Sequence, residues 1–199
     1  MPEIDWIKLS LLCLAGAASP GLSWLMILTM SISRGTAVGV HGAIGHGLGI
    51  TVFALSTIFG LSALLFVLPA LSQALNWSGI GLLAFFGYRL VRSGHPPLPE
   101  SLTTQSGLIA GFGIAIVNPK VLVFFLAIFG PFVNPSHSLQ NHLLMGFLAG
   151  AIDTTVYLGV AYFAHAARGL LKSNIMIGIN QTIGALLLVS ALMLGIKII

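Results

Sequence analysis

The sequence predicts an all-α integral membrane protein with six transmembrane helices arranged as two inverted three-helix repeats. The first and fourth helices are expected to break at Pro20 and Pro119. Three observations carry that reading. Only 6% of the 199 residues are charged and 57% are hydrophobic, and the mean hydropathy is +1.04; a soluble domain devotes about a quarter of its residues to charge. Polar side chains are too scarce to cover a water-facing globule, and no stretch is long and polar enough for a separate catalytic or DNA-binding module, so residues 1–199 read as a single transmembrane domain. Apolar runs long enough to cross a bilayer recur six times. Two of these runs are interrupted about halfway, by Ser19-Pro20-Gly21 and by Asn118-Pro119-Lys120, 99 residues apart and once in each half (about 1–95 and 100–199).

A span takes about 20 apolar residues. The first run covers residues 9–31. Its start, with leucines at 11, 12 and 14 and then Ala15-Gly16-Ala17-Ala18, faintly suggests a cleavable signal segment. Glu3 and Asp5 are wrong for a positive leader, and the apolar stretch continues past Pro20 beyond the roughly 7–15 residues of such a segment. It reads as a retained span, closed by Ser33-Arg34-Gly35. The second run is 38–61 and the third 68–90, opened by Pro69, with a weakly marked boundary between them. Residues 94–100, with prolines at 96, 97 and 99, form the longest connection. Runs at 107–131, 141–164 and 174–198 follow, separated by Asn134-Pro135-Ser136 and by residues 168–173.

Charge sets the expected orientation. Connections after spans one, three and five carry Arg34, Arg89, Arg92, Arg168 and Lys172, against Lys8 and Lys197 on the other side. Lys and Arg concentrate on the cytoplasmic side, so both termini are expected to be periplasmic. The same rule accounts for the net charge of +4 without a nucleic-acid partner. Three spans per half is an odd number, so similar halves must insert upside down relative to each other. Gly45-x-x-x-Gly49 in span two echoes Gly146-x-x-x-Gly150 in span five, and Gly79 echoes Gly178. Small residues four apart let helices approach closely in lipid; packing alone explains the glycines, but not the paired prolines.

Proline inside a helix removes a backbone hydrogen bond, and hydrocarbon tolerates the freed groups only where protein or a wet cavity satisfies them. Paired interruptions of this kind point to a transporter's binding site. Lys120 and Asp153 also fall inside expected spans, at about 2.5–3.5 kcal/mol each on insertion scales, and such residues face cavities and mark transport paths. Asp153, three residues after Gly150 and seven after Gly146, shares their helix face. It reads as a proton carrier or binder of a cationic group, or else as a structural ion pair with Lys120. At the start of a half-helix, Lys120 adds an ammonium to free N–H groups and the positive end of a helix dipole, a setting for a carboxylate. Asn118 is an expected cap for that half-helix, and Ser19 for the stretch after Pro20. The alternative for these breaks is a kink braced by neighbouring helices.

His46, between Gly45 and Gly47, lies on the small-residue face with Gly42 and Gly49. Imidazole changes charge near neutral pH, so His46 is either a proton relay or a satisfied structural histidine. His41, His95, His137, His142 and His165 sit near expected span ends, and no pair has the i, i+4 spacing of a helical metal site. Trp24 and Tyr157 lie deeper than the other large aromatics and read as core packing or as stacking surfaces for a substrate. Cys13 is the single cysteine, so no intrachain disulfide or redox pair exists and no cofactor is expected.

At these motifs the sequence resembles the LysE/RhtB family of bacterial amino-acid exporters. The matching stretches are Ala18-Ser19-Pro20-Gly21, Arg34-Gly35 before the glycine-rich span, and Leu75-x-Trp77-x-Gly79 through Gly87-Tyr88-Arg89. Last come Gly111-Phe112 through Asn118-Pro119-Lys120 to Phe132-Val133-Asn134-Pro135. The resemblance implies a six-span exporter of the bacterial inner membrane, driven by the proton gradient and moving amino acids or related small metabolites, as a homodimer. The chain departs from the family at Leu22-Ser23, where many members carry a polar pair, and in the glycine-rich setting of His46.

The expected mechanism is alternating access, with a small zwitterion between the two breaks. The residues expected to line its path are Ser19, Pro20, Gly21, His46, Asn118, Pro119, Lys120 and Asp153. Its carboxylate would lie near Lys120, and Asp153 would hold either a proton or the substrate ammonium. A cation or metal exporter of similar architecture is the alternative substrate class. An intramembrane enzyme is disfavoured by the lone cysteine and the lack of paired catalytic acids.

Overall fold

The computed structural model describes residues 4–19, 21–61, 69–94, 103–125, 132–134, 136–166 and 173–198. Pro20, the boundary at 62–68, the proline-rich connection at 95–100, the end of the fourth run at 126–131, and the connection at 167–172 with Arg168 and Lys172 lie outside the described residues. Among those described there is no strand.

Among the described residues eight α-helices follow one another. Helix α1 (Trp6–Ala18) begins where the Asp5 carboxylate accepts the Lys8 N–H, at 2.9 Å, which satisfies one of the free donors of the first turn. It ends at Ser19, where ψ of 125° turns the chain into extended geometry. Helix α2 (Leu22–Arg34) departs at 58° to α1. Gly35, with φ of +98°, makes the reversal into α3 (Thr36–Ser56); that left-handed backbone favours a residue without Cβ. The last turn of α3 widens into a π-turn over Thr57–Leu61. Helix α4 (Pro69–Ser93) follows, and then α5 (Thr104–Val117), opened by a reciprocal Thr103/Ser106 capping box. Helix α6 (Pro119–Val123), α7 (Leu139–Ala166) and α8 (Ser173–Ile198) complete the chain.

The interruption expected at residues 118–120 is a clean break rather than a kink. Asn118 leaves helical geometry with ψ of 112°, and α6 starts afresh at Pro119. Proline suits that first position, where its missing N–H would have had no helical acceptor.

Helix α3 is the hub. Helices α5 and α7 lie along it, α2 leans on α3 and α7, α1 touches α7, and α4 pairs with α8. The closest approach is between α3 and α5. A Cβ added to Gly111 would overlap the backbone of Gly42, and one added to Gly45 would overlap the backbone of Leu108. Glycine on both sides brings the helices into backbone contact, the device that replaces hydrophobic drive in lipid.

The distribution of polarity fits lipid outside and water-like chemistry inside. Leu48, Phe147, Tyr162, Phe163, Leu192, Met193 and Ile196 are exposed, whereas Ser23, His46, Asn118, Asp153 and Asn180 are buried. The apolar stretches Thr36–Gly60 and Leu139–Ala164 are each long enough to cross a bilayer, and α1 with α2 meets the same test as one bent span.

Candidate functional site

The two breaks meet. From the first turn of α6, Lys120 Nζ donates to the Ser19 carbonyl at 2.7 Å, across 101 residues of chain. The Asn118 side chain works in two directions: its Oδ1 accepts the Lys120 backbone N–H at 3.0 Å, and its Nδ2 donates to Ser23 Oγ at 2.7 Å. Asn118 is therefore both the expected cap of α6 and a strut to the first turn of α2. Ser19 is not the cap expected of it. Its hydroxyl turns back to the Gly16 carbonyl at 3.3 Å, while Gly21 starts α2 with no side-chain cap. The reason is local: extended geometry at Ser19 ends α1 three residues before α2 begins at Leu22, so its hydroxyl serves the helix behind it. Gly21 faces the Lys120 side chain, where an added Cβ would lie 3.8 Å from Nζ.

From Ser23 the chain of hydrogen bonds runs on. Ser23 Oγ lies 2.8 Å from His46 Nε2, and His46 Nδ1 lies 2.7 Å from Asp153 Oδ2. The His46 ring also packs on Tyr157, centroids 4.6 Å apart. His46, Ser23 and Asp153 are 1%, 2% and 5% exposed, so each must find its partners inside the protein. Hydrogen directions follow from donor inventories. An ionised carboxylate only accepts, so Nδ1 carries a hydrogen toward Asp153. The Asn118 amide nitrogen only donates, so Ser23 accepts from it. With His46 neutral, the Ser23 hydroxyl donates to Nε2; with His46 charged, Nε2–H donates to Ser23.

The pairing of Lys120 with Asp153, one alternative from the sequence, is not formed: the ion-pair partner of Asp153 is His46, and the Lys120 ammonium goes to Ser19. A Ser–His–Asp order also activates a serine nucleophile in hydrolases. Here the Asn118 amide already donates to the same Oγ and draws electron density from it, which favours a hydrogen-bond relay.

These groups border a small, partly open cavity. Ser23, His46, Asn118, Lys120, Asp153 and Tyr157 supply its polar wall, with Cys13 and Phe124 among its apolar lining. The chain matches the LysE type translocator family over residues 14–198. It belongs to the LysE family. Its relatives include efflux proteins: it is 30% identical over 188 residues to the homoserine/homoserine lactone efflux protein of Salmonella typhimurium, covering 88% of both chains. It is 22% identical over 136 residues to the threonine efflux protein of Escherichia coli, covering 64% of this chain and 66% of that one. An uncharacterised membrane protein of Pseudomonas aeruginosa is 27% identical over 183 residues, with 84% and 83% covered. No solved structure matches the chain.

In this LysE-family membrane protein the structure brings together Ser19, Gly21, His46, Asn118, Pro119, Lys120 and Asp153 from five helices or their ends, while Pro20 lies outside the described residues. Sequence reasoning missed Ser23 as the joint of the relay. Its signal is a hydroxyl three residues after Pro20, in the first turn beyond the break. It also left the role of Tyr157 open; the ring packs against His46. His137 and His142 stand 5.9 Å apart, ring to ring, near one end of α7. Among the described residues no three metal-binding side chains cluster.

Proposed function

We propose that this protein exports amino acids or closely related small metabolites across the bacterial inner membrane, by proton antiport through alternating access. The supporting observation is the bridged pair of breaks. Lys120–Ser19 and Asn118–Ser23 tie the two interrupted helices together beside one cavity, which holds a cation, an anion and a histidine. A static span needs none of these groups, each expensive in lipid.

The substrates named for the relatives narrow the chemistry. Homoserine and threonine carry an ammonium and a carboxylate, but homoserine lactone has no free carboxylate. The group common to all three is the α-ammonium. Asp153 is the anionic group in the cavity wall and takes that ammonium; Lys120, released from Ser19, takes the carboxylate of the open forms. A metal exporter would need several carboxylate, imidazole or thiolate donors around one point, whereas among the described residues no three such side chains cluster, and the single carboxylate of the cavity wall is already bonded to imidazole.

Two inverted halves supply the moving parts. Helix pairs α3–α7 and α4–α8 unite corresponding spans of the two halves, and the α3–α5 contact has a counterpart in the contacts of α7 with α1 and α2. A pseudo-two-fold axis in the membrane plane produces such a pattern. The excess of Arg and Lys after spans one, three and five supports a cytoplasmic place for those connections, with both termini outside.

The test is export from proteoliposomes of a panel of radiolabelled amino acids, with and without an imposed pH gradient. Gradient-driven export of at least one amino acid is expected. Asp153→Asn should abolish it while the protein still purifies as a folded species; unchanged proton coupling in that variant, or no gradient-driven movement of any amino acid by the native protein, overturns the reading.

A further inference from the structure

We propose that the exchanged proton rides on His46, as its Nε2–H, and that a substrate ammonium displaces it by binding the second oxygen of Asp153. This rests on the export reading above and assigns the coupling residue within that site. His46 holds Asp153 Oδ2 through Nδ1. Among the described residues no side chain donates to Oδ1, and Asp153 lines the cavity. One carboxylate thus offers one oxygen to the imidazole and one to whatever enters.

Two positive groups on a single buried carboxylate disfavour each other, so an arriving ammonium expels the imidazole's extra charge. The other groups facing His46 do not compensate for that second cation. Helix α2 presents Ser23, α7 presents Asp153 and Tyr157, and α5 contains no titratable side chain. Across the cavity lie Cys13 of α1 and Lys120 of α6, and Lys120 adds a further positive charge.

The exit route is already hydrogen-bonded. As the Nε2 proton passes to Ser23 Oγ, the Ser23 hydroxyl releases its own proton to cavity water. Ser23 then donates back to the neutral Nε2, the arrangement inferred for uncharged His46. The Nε2–H bond and one Ser23 O–H bond break, a new Ser23 O–H bond and an O–H bond on water form, and one proton leaves for each ammonium bound. Nδ1–H keeps Oδ2 throughout, and the Asn118–Ser23 strut survives in both states, because Ser23 accepts from Asn118 whichever way its hydroxyl turns.

The distinguishing experiment measures proton release on binding, in weakly buffered detergent solution with a pH indicator. The probes are L-homoserine and its 2-hydroxy counterpart, 2,4-dihydroxybutyrate, which lacks the ammonium. Where His46 starts charged, the native protein should release up to one proton per homoserine bound, with an apparent Kd that rises by up to about tenfold per pH unit of acidification; the hydroxy acid should release none. In His46→Gln, homoserine binding should lose both the proton release and the pH slope. Equal release with both probes, or full release in His46→Gln, overturns the proposal. If that variant fails to fold, the His46 imidazole resonance followed by NMR in the native protein decides: homoserine should move it from its charged to its neutral position, and a resonance that stays put while a proton is released overturns the assignment. Homoserine bound without proton release sinks the His46 assignment and leaves export standing; no binding by any amino acid sinks both.

Discussion

Ser23 shows what a single hydroxyl does inside this protein. It receives the Asn118 amide and sits against His46 Nε2, so it joins the α5–α6 break to the α3–α7 pair. Replacing it with alanine leaves both partners unsatisfied in a buried place, at a cost of about 1–3 kcal/mol. Ser23→Ala should therefore lower the thermal midpoint in detergent, and a double-mutant cycle with Asn118→Ala should return a coupling of about 0.5–3 kcal/mol; strict additivity would contradict the strut. Asn118, Lys120, His46 and Asp153 were legible in the sequence because each is conspicuous in an apolar run. Their connections were not. His46 and Asp153 are 107 residues apart, and no local periodicity encodes that separation. Ser23 itself hid because serine costs little within a membrane helix, where it bonds its own backbone as readily as a distant partner.

At the scale of elements, the apolar runs located the helices well. The interruption at Asn118-Pro119 was legible because proline and its cap act over a few residues of backbone. The widening of α3 at Thr57–Leu61 was not, since Gly60 there carries φ of +130° without any sequence mark beyond glycine itself. Helix α5 starts at Thr104, just before the expected run at 107, because the Thr103/Ser106 box extends it into polar sequence. The α3–α5 contact offers a paired test on one helix. Gly111→Ala pushes a methyl group into the backbone of Gly42, whereas an alanine at Gly113 meets nothing within 4 Å. Overpacking costs about 1–3 kcal/mol, and alanine gains up to about 1 kcal/mol over glycine in an open helix. Thermal denaturation should show Gly111→Ala clearly destabilised and Gly113→Ala unchanged or stabilised; similar losses at both positions would mean that the α3–α5 crossing is looser than described.

For the whole molecule, composition alone indicated lipid as the solvent, and the apolar exterior around a polar interior agrees with it. The cavity was foreseeable only in outline, because its walls come from helices far apart in sequence and no run of residues records their meeting. Cys13, the single cysteine, lies among those walls, buried yet bordering the empty space. It therefore reports whether an exported amino acid enters between the two breaks. The decisive measurement is the rate at which a small charged methanethiosulfonate labels Cys13 in folded protein in proteoliposomes, with and without saturating L-homoserine or another amino acid that the panel shows to be exported. Labelling from the aqueous phase that slows several-fold when substrate is present is the expected result. Labelling that begins only on denaturation, or that proceeds at the same rate with the cavity's ligand at saturation, would contradict a shared substrate cavity at the meeting of the breaks.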